Sequence, residues 1–295
     1  MVKEKAMIGG QAVMNGVMMR SPNYYSVAVR SDKGKIIVKR EKIKGSKNKF
    51  LKLPFVRGIK ALIDNLVIGT RALIYSADAG FDKKEEKIST KEIVITLLLS
   101  AVLAVGIFVL LPLFLARVFT GLLHYQSGLL FNIIDGVLRI IIFIIYIYLI
   151  SLMKDVKILF QYHGAEHKSV NCYEHGKKLE IKNIMKYSTE HKRCGTSFLI
   201  IVLIISIFVF SVITSDNFLI KLASRIVLIP VIAGVSYEIL KLSAKYEHNL
   251  FFRILSAPGL WVQKVTTGEP DKKQIEVALA ALKDVMKAEK IKEQV

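Results

Sequence analysis

The stretch that decides the fold lies at residues 93–116 and reads IVITLLLSAVLAVGIFVLLPLFLA. It contains no charged side chain, and its proline, Pro112, lies near its far end. A helix needs roughly 20 apolar residues to cross the hydrocarbon core of a bilayer, which is ~30 Å thick. The stretch is long enough, so it predicts a transmembrane helix.

Three later runs have the same apolar character. They cover residues 136–153, 194–214 and 222–240. The first of these runs carries Arg139 near its start, and the last carries Arg225 near its start and Glu238 near its end. We therefore predict a mainly α-helical membrane protein with four transmembrane helices in residues 93–240.

The composition agrees with a membrane protein. Of the 295 residues, 53% are hydrophobic and 23% are charged, and the mean hydropathy is +0.43. This hydrophobicity excludes a disordered chain, and two cysteines are too few for a secreted fold held together by disulfides. The net charge of +19 fits the lysines and arginines that membrane proteins collect on their cytoplasmic side. Because no basic motif is interleaved with aromatic residues, we expect no nucleic-acid partner.

The distribution of positive charge predicts the orientation. Lysine and arginine number 20 in residues 1–92, 9 in residues 154–195 and 10 in residues 241–295, which leaves four of the 43 elsewhere. Under the positive-inside rule, both termini and the middle loop are cytoplasmic, and the chain is a multi-pass protein of the cytoplasmic membrane. Arg139 and Arg225 would then extend their side chains to the outer interface.

The N-terminal segment, residues 1–54, is predicted to be rich in β-structure. Residues 24–30 and 35–40 alternate apolar and polar side chains on either side of Asp32-Lys33-Gly34, which is typical of a hairpin. Residues 11–19 are a candidate third strand.

Two further segments have helical patterns. Residues 55–80 place apolar side chains at helical spacing and basic ones elsewhere, which predicts an amphipathic helix at the membrane interface, with a re-entrant segment as the alternative. Residues 241–295 form a cytoplasmic helical region, in which a helix opens at residues 269–271. The apolar face of that helix carries Ile275, Leu279, Leu282 and Met286.

The motif that points to chemistry is His163-Gly164-Ala165-Glu166-His167, an H-x-x-E-H pattern in the predicted cytoplasmic loop 154–195. Side chains four residues apart share one face of a helix, so both imidazoles can reach one metal ion. In the inverted arrangement, H-E-x-x-H, the two histidines bind zinc and the glutamate is a general base. We therefore expect His163 and His167 to bind a divalent metal, zinc in the first place, with Glu166 activating a water molecule.

A third ligand has to come from elsewhere in the chain. His191 and Cys194 directly precede the third apolar run and Glu238 ends the fourth, so the predicted topology brings all three to the cytoplasmic edge of the bilayer. Imidazole, thiolate and carboxylate groups all bind zinc. A buried free thiol is the more ordinary interpretation of Cys194, and a solvated interfacial carboxylate is as good an interpretation of Glu238. The sequence leaves the choice open.

Four segments resemble those of one family. They are residues 8–20 (IGGQAVMNGVMMR), 162–168 (YHGAEHK), 193–198 (RCGTSF) and 258–261 (PGLW), the last followed by Thr266-Thr267 and Glu269-Pro270. In this order they resemble the YqhQ-like family, bacterial multi-pass membrane proteins of unknown function that are described as predicted metal-dependent enzymes. The resemblance runs from about residue 7 to residue 280 and implies a membrane location and a metal.

The family motifs fall on a set of residues that the arguments above had also reached. They are His163, Glu166, His167, His191, Cys194 and Glu238. Two positions depart from the family pattern. Asn15 stands where the family usually has an acidic residue, which puts a catalytic role for that position in doubt, and Lys192 stands in place of an expected proline.

Together these patterns predict a zinc-dependent, hydrolase-like enzyme at the inner lipid–water interface, in contact with the bilayer. Peptides, lipids and small polar metabolites are all open as substrates, iron and manganese are open as metals, and the oligomeric state is open as well. One alternative is a non-catalytic metal-binding protein, either a transporter or a sensor. The other is a structural adaptor whose basic cytoplasmic surface binds anionic lipid or a partner.

Overall fold

A computed structural model describes residues 6–45, 48–80, 90–122, 124, 127–213, 215, 217–246 and 248–291. The chain is mostly helical, with one small sheet near its N-terminus. The strands are β1 (Gly9–Val13), β2 (Gly16–Arg20), β3 (Tyr24–Arg30) and β4 (Ile36–Lys42). The helices before residue 152 are α1 (Val56–Gly80), α2 (Thr90–Val105), α3 (Leu111–Leu122) and α4 (Gly128–Ser151). The later helices are α5 (Lys154–Glu174), α6 (Ile181–Ile184), α7 (Gly195–Ser211), α8 (Phe218–Val227), α9 (Ile229–Lys245), α10 (Leu250–Thr266) and α11 (Lys272–Ala288).

The four strands form an antiparallel sheet in the order β1-β2-β3-β4. The predicted hairpin at Asp32-Lys33-Gly34 is confirmed, and Gly34 has a φ of +79°, which glycine adopts without a steric penalty. The predicted single strand at residues 11–19 is wrong, because the chain reverses there and forms two strands. Asn15 adopts a φ of +49° at the reversal, and asparagine tolerates this left-handed conformation better than most residues.

The sheet is covered on both faces. Val17, Met19 and Ala28 of one face pack against α5 and α11. On the opposite face, Val13, Met18, Tyr25, Val27 and Val29 form a second cluster with Ile68 and Ala72 of α1. The loop predicted at residues 154–195 is thus a folded unit, since it contains α5 and α6 and packs under the sheet.

Helix α11 confirms the predicted C-terminal helix. The Asp271 side chain accepts a hydrogen bond from the Gln274 backbone N–H at 2.7 Å, and the Gln274 side chain accepts one from the Asp271 N–H at 2.9 Å. This reciprocal capping box fixes the start of the helix. Ile275, Leu282 and Met286 are buried, and Leu279 packs at the margin of the same cluster.

The helix predicted at residues 55–80 is also present, as α1. Ile68 and Ala72 are buried against the sheet, whereas Ile63 and Leu66 are exposed, the latter to 69%. Helix α1 therefore has two apolar faces. One face packs against the sheet inside the protein, and the other is exposed and suits contact with an apolar medium such as lipid.

The apolar runs are partly organised as predicted. One continuous helix extends from Lys91 to Leu122, with a π-helical turn at Gly106–Leu110, and α4 is the second helix long and apolar enough to cross a bilayer. Helices α8 and α9 bend by 46° at their junction and qualify as a third span if taken together. Pro230 lies in the first turn of α9, where it lacks the N–H that would continue the hydrogen-bond ladder of α8.

The structure therefore supports two or three spans where the sequence predicts four. Helix α7 is apolar but only 17 residues long. It begins after Cys194 as N-cap and ends at Ser211, and Thr214, the predicted end of this run, lies outside the described residues. A fourth span remains a prediction.

The two arginines in the apolar runs are buried, contrary to the prediction that they extend to the outer interface. Arg139 and Arg225 both bind the Asp135 carboxylate, at 3.0 and 2.9 Å. Arg225 also donates to the Asn132 side-chain oxygen at 2.7 Å. The positive-inside rule considers each arginine alone, whereas the fold brings both to one carboxylate.

We expect Asp135→Asn to destabilise the protein strongly. Two buried guanidinium groups would lose their only carboxylate among the described residues, and breaking such an ion pair costs about 3–5 kcal/mol. Thermal unfolding in detergent should show a lower Tm for this variant. The control is Asp155→Asn, at an exposed position in the first turn of α5. Equal Tm values for the two variants would contradict the structural role of Asp135.

Candidate metal centre

Helix α5 carries the H-x-x-E-H motif, and its burial distinguishes it from an ordinary surface helix. Glu166 and His167 are buried, and His163 is half-buried. The imidazole rings of His163 and His167 have centroids 4.4 Å apart. The two rings therefore lie side by side on one face of the helix, as the spacing predicts.

Backbone carbonyls hold both imidazoles by the same ring nitrogen. His163 Nδ1 lies 2.8 Å from the Thr266 oxygen, and His167 Nδ1 lies 2.5 Å from the Thr189 oxygen. A carbonyl can only accept, so each Nδ1 carries the proton and donates. The Nε2 atom of each ring then remains for a metal, and this is the usual way in which a metal-binding histidine is oriented.

Cys194 completes a group of three donors. Its Sγ lies 3.3 Å from His163 Nε2, and the ligand atoms of His163, His167 and Cys194 all lie within 4.8 Å of one another. Cys194 is the N-cap of α7, where the Thr196 N–H donates to the sulfur at 3.4 Å. Burial raises the pKa of the thiol to about 11. The free thiol therefore holds its proton at neutral pH, and a cation would be needed to favour the thiolate.

Glu166 lies beside these donors. Its carboxylate accepts the Gly10 N–H of strand β1, and Oε2 is 3.5 Å from His167 Nε2. Burial raises the pKa of this carboxyl above its usual range, an effect that the neighbouring His163 opposes. Strand β1 thus closes over the motif, and its backbone contacts the carboxylate directly.

His191 is close to the centre but is held by other partners. Its Nε2 lies 3.2 Å from a Glu174 carboxylate oxygen, and its Nδ1 accepts the Arg193 N–H at 3.4 Å. The ring centroid is 5.6 Å from that of His167. Both ring nitrogens are therefore occupied, and burial lowers the pKa of the ring. The structure places His191 next to the three donors and not among them.

Glu238 lies in a different contact. Its carboxylate binds the Arg57 guanidinium, with one N–O distance of 2.7 Å, and accepts the Phe55 N–H at 3.3 Å. This pair joins α9 to the start of α1. The structure does not bring Glu238 to the donor group, because Arg57 holds the carboxylate, and no sequence pattern predicts that pair.

The groups that sequence reasoning missed are mainly backbone groups. The carbonyls of Thr189 and Thr266 orient the imidazoles, and the Gly10 N–H holds Glu166. Every residue except proline has both a backbone N–H and a carbonyl group, so residue type does not predict which of these groups will hold a side chain. The glycine pair at residues 9–10 and the threonine pair at residues 266–267 were visible, but only the fold shows what they contact.

The geometry defines a helical protein with membrane-length apolar helices and a largely buried His/Cys cluster beside a glutamate. The chain matches the family described as "Protein of unknown function (DUF1385)" over residues 53–288. It is also 33% identical to the uncharacterized protein YqhQ of Bacillus subtilis (strain 168) over 301 residues, which cover 97% of this chain and 94% of that protein. The chain belongs to this YqhQ-like family, as its motifs predict. No solved structure matches it.

Gly10 and Gly9 provide a test of the contact between β1 and α5. A Cβ on Gly10 would lie 2.2 Å from the Met18 carbonyl oxygen and 3.0 Å from Glu166 Cγ, whereas a Cβ on Gly9 would meet nothing within 4 Å. We expect Gly10→Ala to cost about 1–3 kcal/mol through overpacking and Gly9→Ala to cost little. Thermal unfolding measures both, and an equal Tm for the two variants would contradict this packing.

Proposed function

We propose that this protein is a membrane-bound, metal-dependent enzyme of the hydrolase type. His163, His167 and Cys194 would hold one divalent ion, zinc in the first place. The observation that carries the proposal is the convergence of three ligand atoms within 4.8 Å of one another, beside a buried carboxylate. His163 and His167 lie on α5, and Cys194, the N-cap of α7, lies 27 residues after His167 in the chain, so the meeting of the three donors is a property of the fold.

The chemistry of the donor set fits zinc. Two imidazoles and one thiolate are common zinc ligands, and catalytic zinc sites have three protein ligands with a further position for water or substrate. The carbonyls of Thr189 and Thr266 supply the outer contacts that such sites use to fix the imidazoles. Bound there, zinc would polarise a carbonyl or phosphoryl oxygen and lower the pKa of a water molecule.

Glu166 is the residue that we assign to proton transfer. The Gly10 N–H fixes one part of its carboxylate, and Oε2 faces the imidazole side of the cluster. Because burial raises the pKa of this carboxyl, it accepts a proton from a water molecule more readily than an exposed glutamate would. Its position and its basicity both suit a general base.

Metal content tests the donor set. Protein purified in detergent should contain about one equivalent of zinc per chain by elemental analysis, and His163→Ala with His167→Ala should remove it, since two of the three protein ligands would be lost. Cys194→Ser should lower the zinc content, and Cys172→Ser is the matched control. Cys172 is also a buried free cysteine, but its thiol lies against the Lys177 and Lys178 carbonyls.

The same measurement separates Cys194 from the other two candidates for the third ligand. We expect Glu238→Gln and His191→Gln to keep their zinc. Zinc that is lost with Glu238→Gln and kept with Cys194→Ser would show that the third ligand is wrongly assigned, and equal zinc in the wild type and the double histidine variant would refute the centre as a whole.

Glu166→Gln tests whether the centre is catalytic. The amide cannot accept the proton, so turnover should fall by roughly 10²–10⁴-fold while the zinc content stays at the wild-type level. Fluorogenic carboxylic esters, phosphodiesters and peptides, presented in mixed micelles, provide the activity measurement. A variant that keeps both its zinc and its hydrolysis rate would favour a metal-binding protein without this chemistry.

A further inference from the structure

A second feature of the molecule lies beside the candidate centre. A cavity of about 370 Å³ opens between α9 and α10, near the segment that leads into α7. Its walls combine two basic side chains, two hydroxyls and several apolar side chains. The lining of this α9–α10 groove includes Lys192, Arg253, Ser243, Ser256, Leu250 and Ile254.

The apolar side of the groove continues onto an exposed surface. Leu250, Phe251, Ile254 and Trp261 of α10 are each 65–68% exposed. Soluble proteins rarely expose four large apolar side chains along one helix, and an amphipathic helix with this face lies in a membrane interface. Helix α10 also packs along the apolar helix α7. A lipid surface is therefore the medium that fits this face.

The polar side of the groove has the charge and the hydrogen-bond donors that bind an anion. Arg253 and Lys192 place positive charge at its wall. Ser243 is only 6% exposed, and its hydroxyl makes no hydrogen bond within the described part of the chain. A buried hydroxyl without a partner is unfavourable, so a ligand that accepts its proton would be stabilised there. Phosphate oxygens meet both requirements, since they carry negative charge and accept hydrogen bonds.

We propose that the α9–α10 groove binds the headgroup of an anionic phospholipid. The phosphate would lie near Arg253, Lys192 and the Ser243 hydroxyl, and the acyl chains would lie along Leu250 and Ile254. The apolar wall favours a lipid over free phosphate, because free phosphate would leave that wall in contact with water. Charge and apolar surface thus point to one occupant.

The groove is connected to the candidate centre through two elements. Lys192 lies two residues before Cys194, and α10 ends at Thr266, whose carbonyl orients His163. In the same helix, the Gln263 side chain bonds the His191 backbone and Ser197. A phospholipid in the groove would therefore be a substrate candidate, and this last step, unlike the binding itself, rests on the proposed function.

The single tryptophan of the chain, Trp261, reports on lipid at this position. The full-length protein would be reconstituted in vesicles that contain increasing fractions of phosphatidylglycerol with brominated acyl chains, which quench tryptophan fluorescence on contact. Brominated phosphatidylcholine serves as the neutral comparison. We expect half-maximal quenching at a roughly fivefold lower fraction of the anionic lipid. Equal quenching by the two lipids would overturn the proposal.

Two variants separate the groove from general surface charge. Arg253→Gln should abolish the preference for the anionic lipid, while Lys264→Gln, which removes an equal charge from an exposed position on α10 outside the groove, should leave it unchanged. Arg253→Lys should retain most of the preference and so controls for folding. A similar loss in the Gln variants at both positions would overturn the assignment to the groove.

Two further measurements test whether the phosphate belongs to a lipid or is free, and whether lipid binding requires the metal. Inorganic phosphate in millimolar excess should not relieve the quenching, and relief would mean that free phosphate is the ligand. The His163→Ala, His167→Ala double variant should lack zinc and keep its lipid preference. Loss of the preference together with the zinc would contradict a separate lipid site. A wild-type protein that contains no zinc and still prefers the anionic lipid would count against the proposed function alone.

Discussion

The geometry of the candidate metal centre depends on the burial of the polar groups of α5. Helix α5 carries two histidines and a glutamate into the interior, where each polar group requires a partner. Main-chain groups meet that requirement, since Thr189 and Thr266 bond the imidazoles and Gly10 bonds the carboxylate. These three partners come from parts of the chain that are far apart in sequence. The sheet, the segment before α7 and the end of α10 must therefore all be in place before the motif has a defined geometry.

A second buried polar group shapes the apolar part of the protein. Asp135 binds both Arg139 and Arg225, so it ties α8 to α4. Ionisable groups in apolar surroundings are stable only when they are paired. Helix α8 therefore stays fixed to α4 through the ion pair of Arg225 with Asp135, even though the chain bends between α8 and α9. The cluster is on a different set of helices from α5, and the two polar groups stabilise different regions of the fold.

Features that depend on local spacing agree between sequence and structure, whereas the choice of the third donor depends on contacts between distant segments. The hairpin at Gly34, the capped helix α11 and the pairing of His163 with His167 follow from local spacing and were predicted. The third donor was not settled by the sequence, which left Cys194 as one of three candidates. Residue type makes Glu238 as suitable a ligand as Cys194, but its carboxylate is bound by Arg57, which is 181 residues away in the chain.

The sequence by itself determined the apolar helices, the face on which the two histidines lie and the membership of the YqhQ-like family, because periodicity, hydropathy and motifs are local properties of a chain. Only the tertiary structure decided which of Cys194, His191 and Glu238 lies with the two histidines, which backbone carbonyls orient the imidazoles and how the arginines of the apolar runs are neutralised. Those choices depend on distances between segments with no fixed relation in sequence, and packing alone sets such distances.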